Sequence, residues 1–106
     1  MFFELRKYRV KSGKRETFVR WMEEEIIPFQ ISKGMVVVGS FVSQEDDDLF
    51  VWIRRFQNDE ERERLGKEVY QSDYWQNEVN PRIDEFLIRD EMVVTRLEAT
   101  PKSVIQ

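Results

Sequence analysis

From Phe2 to Val10 apolar and polar side chains alternate, Phe3 and Leu5 on one side and Glu4, Arg6 and Tyr8 on the other, which is the period of a β-strand. Taking Phe3 and Leu5 as the pair that meets the helices, the alternation sends Glu4, Arg6 and Tyr8 to the opposite face. Ser12-Gly13-Lys14 has turn chemistry. Beyond it Phe18, Met22, Ile26 and Phe29 recur at helical spacing, with Arg20, Glu23 and Glu24 filling the other side. Pro28 lacks a backbone donor and is expected to kink or end this helix, and Lys33-Gly34 supplies a basic last turn and a terminal glycine.

Met35 to Val42 is β-branched and almost wholly apolar, which predicts a strand buried on both sides, with Gly39 a candidate bulge. An acidic tip from Gln44 to Asp48 separates it from Leu49 to Phe56, a third strand that pairs with the second as a hairpin. Both sides of that strand are largely apolar: Phe50, Trp52, Arg54 and Phe56 alternate with Val51, Ile53 and Arg55, and the pattern leaves open which set faces the helices. Asn58-Asp59-Glu60-Glu61 combines an Asn cap, acids in the first turn and Glu61 at the capping-box position. Ser72-Asp73 reads as a second cap and Pro81 as a break, so Asp59 to Ile88 is expected to form two or three helical pieces. Alternation returns from Met92 through Leu97 as a fourth strand. The polar tail from Thr100, with Pro101, is expected to be loosely held.

The order strand, helix, strand, strand, helix, strand folds most economically as an antiparallel sheet with both helical regions on one face. Strands two and three carry large apolar residues on both sides, so the second face needs a cover, and a second copy packed sheet to sheet is the simplest. A homodimer of that kind encloses a space between the sheets, and Glu4, Arg6 and Tyr8 are the residues the alternation sends into it.

Composition narrows the function classes. The chain has 106 residues, 41% of them hydrophobic, which suits a single domain over 1–106 with a core that needs no staples. The absence of cysteine removes disulfides, thiolate metal sites and a cysteine nucleophile, and fits a reducing, cytoplasmic location. The opening Met1-Phe2-Phe3-Glu4-Leu5-Arg6 lacks the apolar run of a signal peptide, and no other stretch is long and apolar enough to span a membrane. A net charge of -4 argues against a nucleic-acid partner, because phosphate binding is mainly electrostatic. The alternating Phe50, Trp52, Arg54 and Phe56 do resemble an RNA-recognition strand, but the basic-glycine-aromatic motif of such sheets is missing.

With no histidine in the chain, Ser72 has no base to activate it and a serine-histidine-acid mechanism is excluded. The same absence weakens zinc catalysis and removes the usual haem ligand. Glu23-Glu24-Glu25 and Asp46-Asp47-Asp48 lack the spaced ligands and glycine of a calcium loop and read as solvated charge, so no metal and no cofactor is expected. In an enclosed cavity, Arg6 could hold a carboxylate or enolate, Tyr8 could donate a proton and Glu4 could orient the guanidinium; the plainer arrangement is a cross-strand ion pair beside a tyrosine. Trp52 with Arg54 could bind an anionic or aromatic ligand or simply fill space. Tyr70 and Trp75, in the densest aromatic cluster, could wall a pocket or anchor a capped helical turn on the sheet.

Phe3-Glu4-Leu5-Arg6-Lys7-Tyr8 with Gly13 after it, the segment from Gly34 ending Val38-Gly39-Ser40-Phe41, Val51-Trp52-Ile53-Arg54-Arg55-Phe56, the Tyr70 to Trp75 stretch and Asn80-Pro81-Arg82, taken in order, resemble the NIPSNAP family. The resemblance spans nearly the whole chain. It implies a ferredoxin-like domain that pairs into a dimeric α/β barrel, and it implies no defined reaction. Three functions remain in view: a binder of a small apolar or anionic molecule, a cofactor-free monooxygenase or isomerase, and a structural dimer without catalysis.

Overall fold

A computed structural model describes all residues of the chain, 1–106. Strand β1 (Phe2–Arg9) is followed by helix α1 (Arg15–Trp21), a π-helical turn (Met22–Ile26) and helix α2 (Ile27–Ser32). Strands β2 (Val36–Val42) and β3 (Leu49–Phe56) form a hairpin at one side of the sheet, and β2, expected to be buried on both sides, is an edge strand with Val36, Phe41 and Val42 exposed. Helix α3 (Asp59–Tyr70), a second π-helical turn (Trp75–Val79) and helix α4 (Asn80–Phe86) precede a short 3₁₀ turn (Arg89–Glu91) and strand β4 (Val93–Leu97). The strands form one antiparallel sheet in the order β2-β3-β1-β4, which is the ferredoxin-like arrangement.

The two helical segments share a construction. In each π-turn the amide of the residue before a proline donates five residues back: Ile27 to the Met22 carbonyl, and Asn80 to the Trp75 carbonyl. Pro28 and Pro81 then have no N–H to give, and their rings crowd the carbonyl four residues earlier, so the chain widens by one residue before each proline. Pro28 thus interrupts the helix by loosening one turn rather than ending it. The terminal Gly34 takes φ +106°, a conformation that disfavours a side chain. The β2 register shifts between Val37 and Gly39, so the expected bulge is present; a Cβ on Gly39 would lie 2.9 Å from the Phe41 ring.

Strand register decides which residues meet the helices. Phe2, Arg6 and Tyr8 pair with Phe56, Trp52 and Phe50, and Glu4 pairs with Arg54, so all of these share one face. That face is the helix-covered one: Tyr8, Phe50 and Trp52 pack with Phe18, Trp21 and Phe86 in the main core, while Phe2 and Phe56 pack with Leu65 and Val69 in a smaller one. The expected assignment of β1 is therefore reversed. Phe3 and Leu5 look away from the helices, paired with Arg55 and Ile53 of β3 and with Leu97 and Thr95 of β4, and Glu4, Arg6 and Tyr8 look toward them. Apolar residues occupy both faces of β1, so alternation established the two sets without saying which one the helices cover.

The outer face carries apolar residues and is only partly covered. Val93 and Leu97 remain 51% and 41% exposed. The tail, expected to be loose, bends back beside Phe3, Val38 and Ile53, and Arg55 Nη1 donates to the Gln106 carbonyl at 2.8 Å.

Candidate functional site

Glu4 stands between the two cores in the middle of β1 and is only 2% exposed. A carboxylate there needs partners for both oxygens. Oε1 accepts from Arg54 Nη2 at 2.6 Å and from Arg6 Nη1 at 2.9 Å, and Oε2 accepts from Arg62 Nε at 2.6 Å. Burial by itself pushes this carboxyl group up, but the charge of Arg54 and the hydrogen bonds from Arg54, Arg62 and Arg6 outweigh it and hold the pKa down at about 2. Arg62 reaches the cluster from α3, whose start is fixed by Asn58 Oδ1 accepting from the Glu61 amide at 2.8 Å.

Arg54 is enclosed by α2, α3 and the sheet. Its Nη1 donates to Gln30 Oε1 at 2.9 Å and to the Tyr70 hydroxyl at 2.7 Å, and its guanidinium carbon lies 5.2 Å from the Trp52 ring centre and 5.3 Å from that of Phe56. Arg6 Nε donates to the Tyr8 hydroxyl at 2.7 Å, while Arg6 Nη2 has only the Met92 sulfur at 3.7 Å. Burial works against the Arg6 charge; Tyr8, Tyr70 and Glu4 favour it more, so its pKa rises and the guanidinium stays charged.

Beside this cluster lies a cavity of about 210 Å³ between the sheet and the helices. Arg6, Tyr8 and Trp52 form its floor; Met22, Ile26 and Gln30 come from the first helical segment, and Tyr70 and Trp75 from the second. Both π-turns thus supply wall residues. Arg89 stands at the rim, donating from Nε to Asp84 Oδ1 at 2.6 Å and from Nη2 to Asn80 Oδ1 at 3.0 Å.

Of the residues nominated from sequence, Arg6, Tyr8, Trp52, Tyr70 and Trp75 come together on this cavity. Glu4 and Arg54 lie behind it, tied to each other and to Arg6 and Tyr70. The cavity is enclosed within one chain, between sheet and helices, and the nominated residues do not line a space between two sheets. Gln30 was missed. It is completely buried and lies one turn beyond Ile26 on the row Phe18, Met22, Ile26, a polar residue on an apolar stripe. That break in the pattern was its signal, obscured by taking Phe29 as the next member of the row. Arg89 and Met92 left no comparable trace, since the 3₁₀ turn after α4 brings them to the cavity, and Asn80, at the start of α4, was marked only within Asn80-Pro81-Arg82.

The acidic runs do not converge here. Glu23, Glu24 and Glu25 are exposed, and Asp46 is bound to Arg9 Nη1 at 2.6 Å, a hydrogen bond that lowers its pKa.

The NIPSNAP family model matches residues 3–102 of the chain. A NIPSNAP family protein with unknown function from Agrobacterium tumefaciens has the same fold at a TM-score of 0.88 and 23% identity, over 100% of this chain and 94% of that one. An uncharacterized NIPSNAP domain protein from Burkholderia xenovorans aligns at a TM-score of 0.83 and 19% identity, over 97% of this chain and 98% of that one. An antibiotic biosynthesis monooxygenase aligns at a TM-score of 0.68 and 16% identity, over 95% of this chain and 100% of that one, a likeness of fold alone. No curated protein matches the chain in sequence.

Proposed function

This chain belongs to the NIPSNAP family, and from that premise we propose that it binds a small apolar or anionic molecule in the cavity between its sheet and helices. The observation that carries the reading is the gathering of Arg6, Tyr8, Trp52, Tyr70 and Trp75, drawn from three separate elements and the turn after α3, on one apolar cavity with a few polar groups. A cavity of about 210 Å³ is smaller than the ~300–1,000 Å³ of sites for drug-sized ligands, which points to a one- or two-ring molecule or a short chain.

All three tryptophans of the chain, Trp21, Trp52 and Trp75, line the cavity and report on its occupancy. Titration with one- and two-ring aromatic molecules of each charge type is expected to change their fluorescence saturably, and to shift the indole N–H resonances of Trp52 and Trp75. A panel that leaves all three unperturbed overturns the reading.

The second part of the proposal is a homodimer through the outer sheet face, where Val51, Ile53, Val93 and Leu97 leave an apolar strip on both sides of β1. A cofactor-free oxygenase or isomerase acting here would use Arg6 and Tyr8, the polar pair on the cavity floor. A dimer serving only as scaffold gives those two residues no task.

A further inference from the structure

The polar groups around the cavity are nearly all hydrogen-bond donors. Trp52 Nε1 and Gln30 Nε2 are buried without a partner, and both residues line the cavity. The Tyr8 and Tyr70 hydroxyls each accept from an arginine, and neither has an acceptor for its own proton. Arg6 Nη2 meets only the Met92 sulfur. Acceptors are spent elsewhere: Gln30 Oε1 takes Arg54, Asn80 Oδ1 takes Arg89, and both Glu4 oxygens are occupied by arginines. No carboxylate and no histidine lines the cavity.

Charge points the same way. Glu4 neutralises one of the three guanidinium groups that bind it, Arg6, Arg54 and Arg62, so the cluster keeps a positive excess inside a chain whose net charge is -4. An unpartnered buried donor carries its full desolvation cost, and a positive excess beside a poorly solvated cavity favours an anion.

We propose that the cavity is an oxyanion site that takes a small flat molecule bearing a carboxylate, enolate or phenolate. Its oxygen is received by Trp52 Nε1, Gln30 Nε2 and the Arg6–Tyr8 pair, and its carbon skeleton lies against Met22 and Trp75. This rests on the cavity-binding reading above and adds the sign of the ligand's charge and the donors that read it. With no base in the wall, the ligand enters already ionised. A ketone or alcohol of the same shape leaves the positive excess uncompensated.

The test is calorimetric titration of the full chain with naphthoate, with naphthamide as the neutral counterpart and naphthylmethylammonium as the cation. Naphthoate is expected to bind at least about tenfold more tightly than naphthamide, and the ammonium not measurably, as charge-assisted hydrogen bonds in a desolvated site require. Trp52→Phe, which keeps an aromatic ring and removes the N–H, and Gln30→Met are each expected to weaken naphthoate by about tenfold and to leave naphthamide nearly unchanged. Binding of the amide or the ammonium as tightly as naphthoate overturns the oxyanion assignment while leaving cavity binding in place. Naphthoate binding unaltered in both folded variants overturns the donor assignment. Failure of all three probes to bind the wild-type chain overturns the cavity reading as well, and the comparison of probes on the wild type stands whether or not either variant folds.

Discussion

Arg54 Nη2 donates to Glu4 Oε1 at 2.6 Å between directly paired positions of β3 and β1, in the layer that separates the two apolar cores. Neither residue is more than 2% exposed. Removing one partner of such a pair leaves the other charge buried and uncompensated, which typically costs about 3–5 kcal/mol. Glu4→Gln is expected to destabilise the chain by about that amount, because Arg54 and Arg6 then face each other without their shared carboxylate. Urea unfolding at neutral pH measures it, and a loss below about 1 kcal/mol would mean that solvent or another acid compensates the arginines.

The same pair sets an acid limit. Glu4 has a folded-state pKa of about 2 against 4.5 for the free group, so the folded form binds its proton less readily than the unfolded form. The stabilisation is then fully present above about pH 4.5 and is lost as pH falls toward 2, an effect on the order of 3 kcal/mol. Unfolding free energies of wild type and Glu4→Gln measured between neutral pH and pH 2 should converge across that window. A gap that stays constant down to pH 2 would show that folding leaves the Glu4 pKa unshifted.

Strand and helix positions were legible in the sequence because period two and period 3.6 differ so plainly in Phe2–Val10 and in Phe18-Met22-Ile26. The face of β1 was not, since Phe3 and Leu5 are as apolar as Phe2 and Tyr8, and only the pairing with β3 distinguishes the two sets. Five of the seven candidate site residues reached the cavity even so, because the face of β1 that alternation grouped as Glu4, Arg6 and Tyr8 is the helix-covered one and the cavity lies on that same side. The role of Arg62 was hidden in a run of charged residues on α3, where nothing local marks the arginine that turns toward Glu4.

Asn58 tests how far a cap at the protein surface reaches into the site. Its side chain accepts from the Glu61 amide, and Glu61 Oε1 in turn accepts from the Gln57 amide at 3.1 Å. Asn58→Ala is expected to cost about 1 kcal/mol, the usual loss for an N-cap. The first turn of α3 also carries Arg62, so fraying there should raise amide exchange at Arg62 and Glu63 before the rest of the helix. Thermal unfolding and hydrogen exchange together check this; an unchanged midpoint with unchanged exchange contradicts it.

Val51 and Ile53 flank Trp52 and share the outer face with Leu5, so a charge placed on them alters that face without entering the cavity. If a second copy covers the face, Val51→Lys with Ile53→Lys buries two like charges without a partner in the interface, a penalty of several kcal/mol that association at micromolar concentration does not survive. In a free monomer both side chains sit at positions already partly solvated, and the cost is small. Light scattering is therefore expected to give a dimeric mass for the wild type and a monomeric mass for the double variant, with circular dichroism unchanged. A wild type that is monomeric at micromolar concentration contradicts the dimer. A double variant that remains dimeric places the interface on another surface.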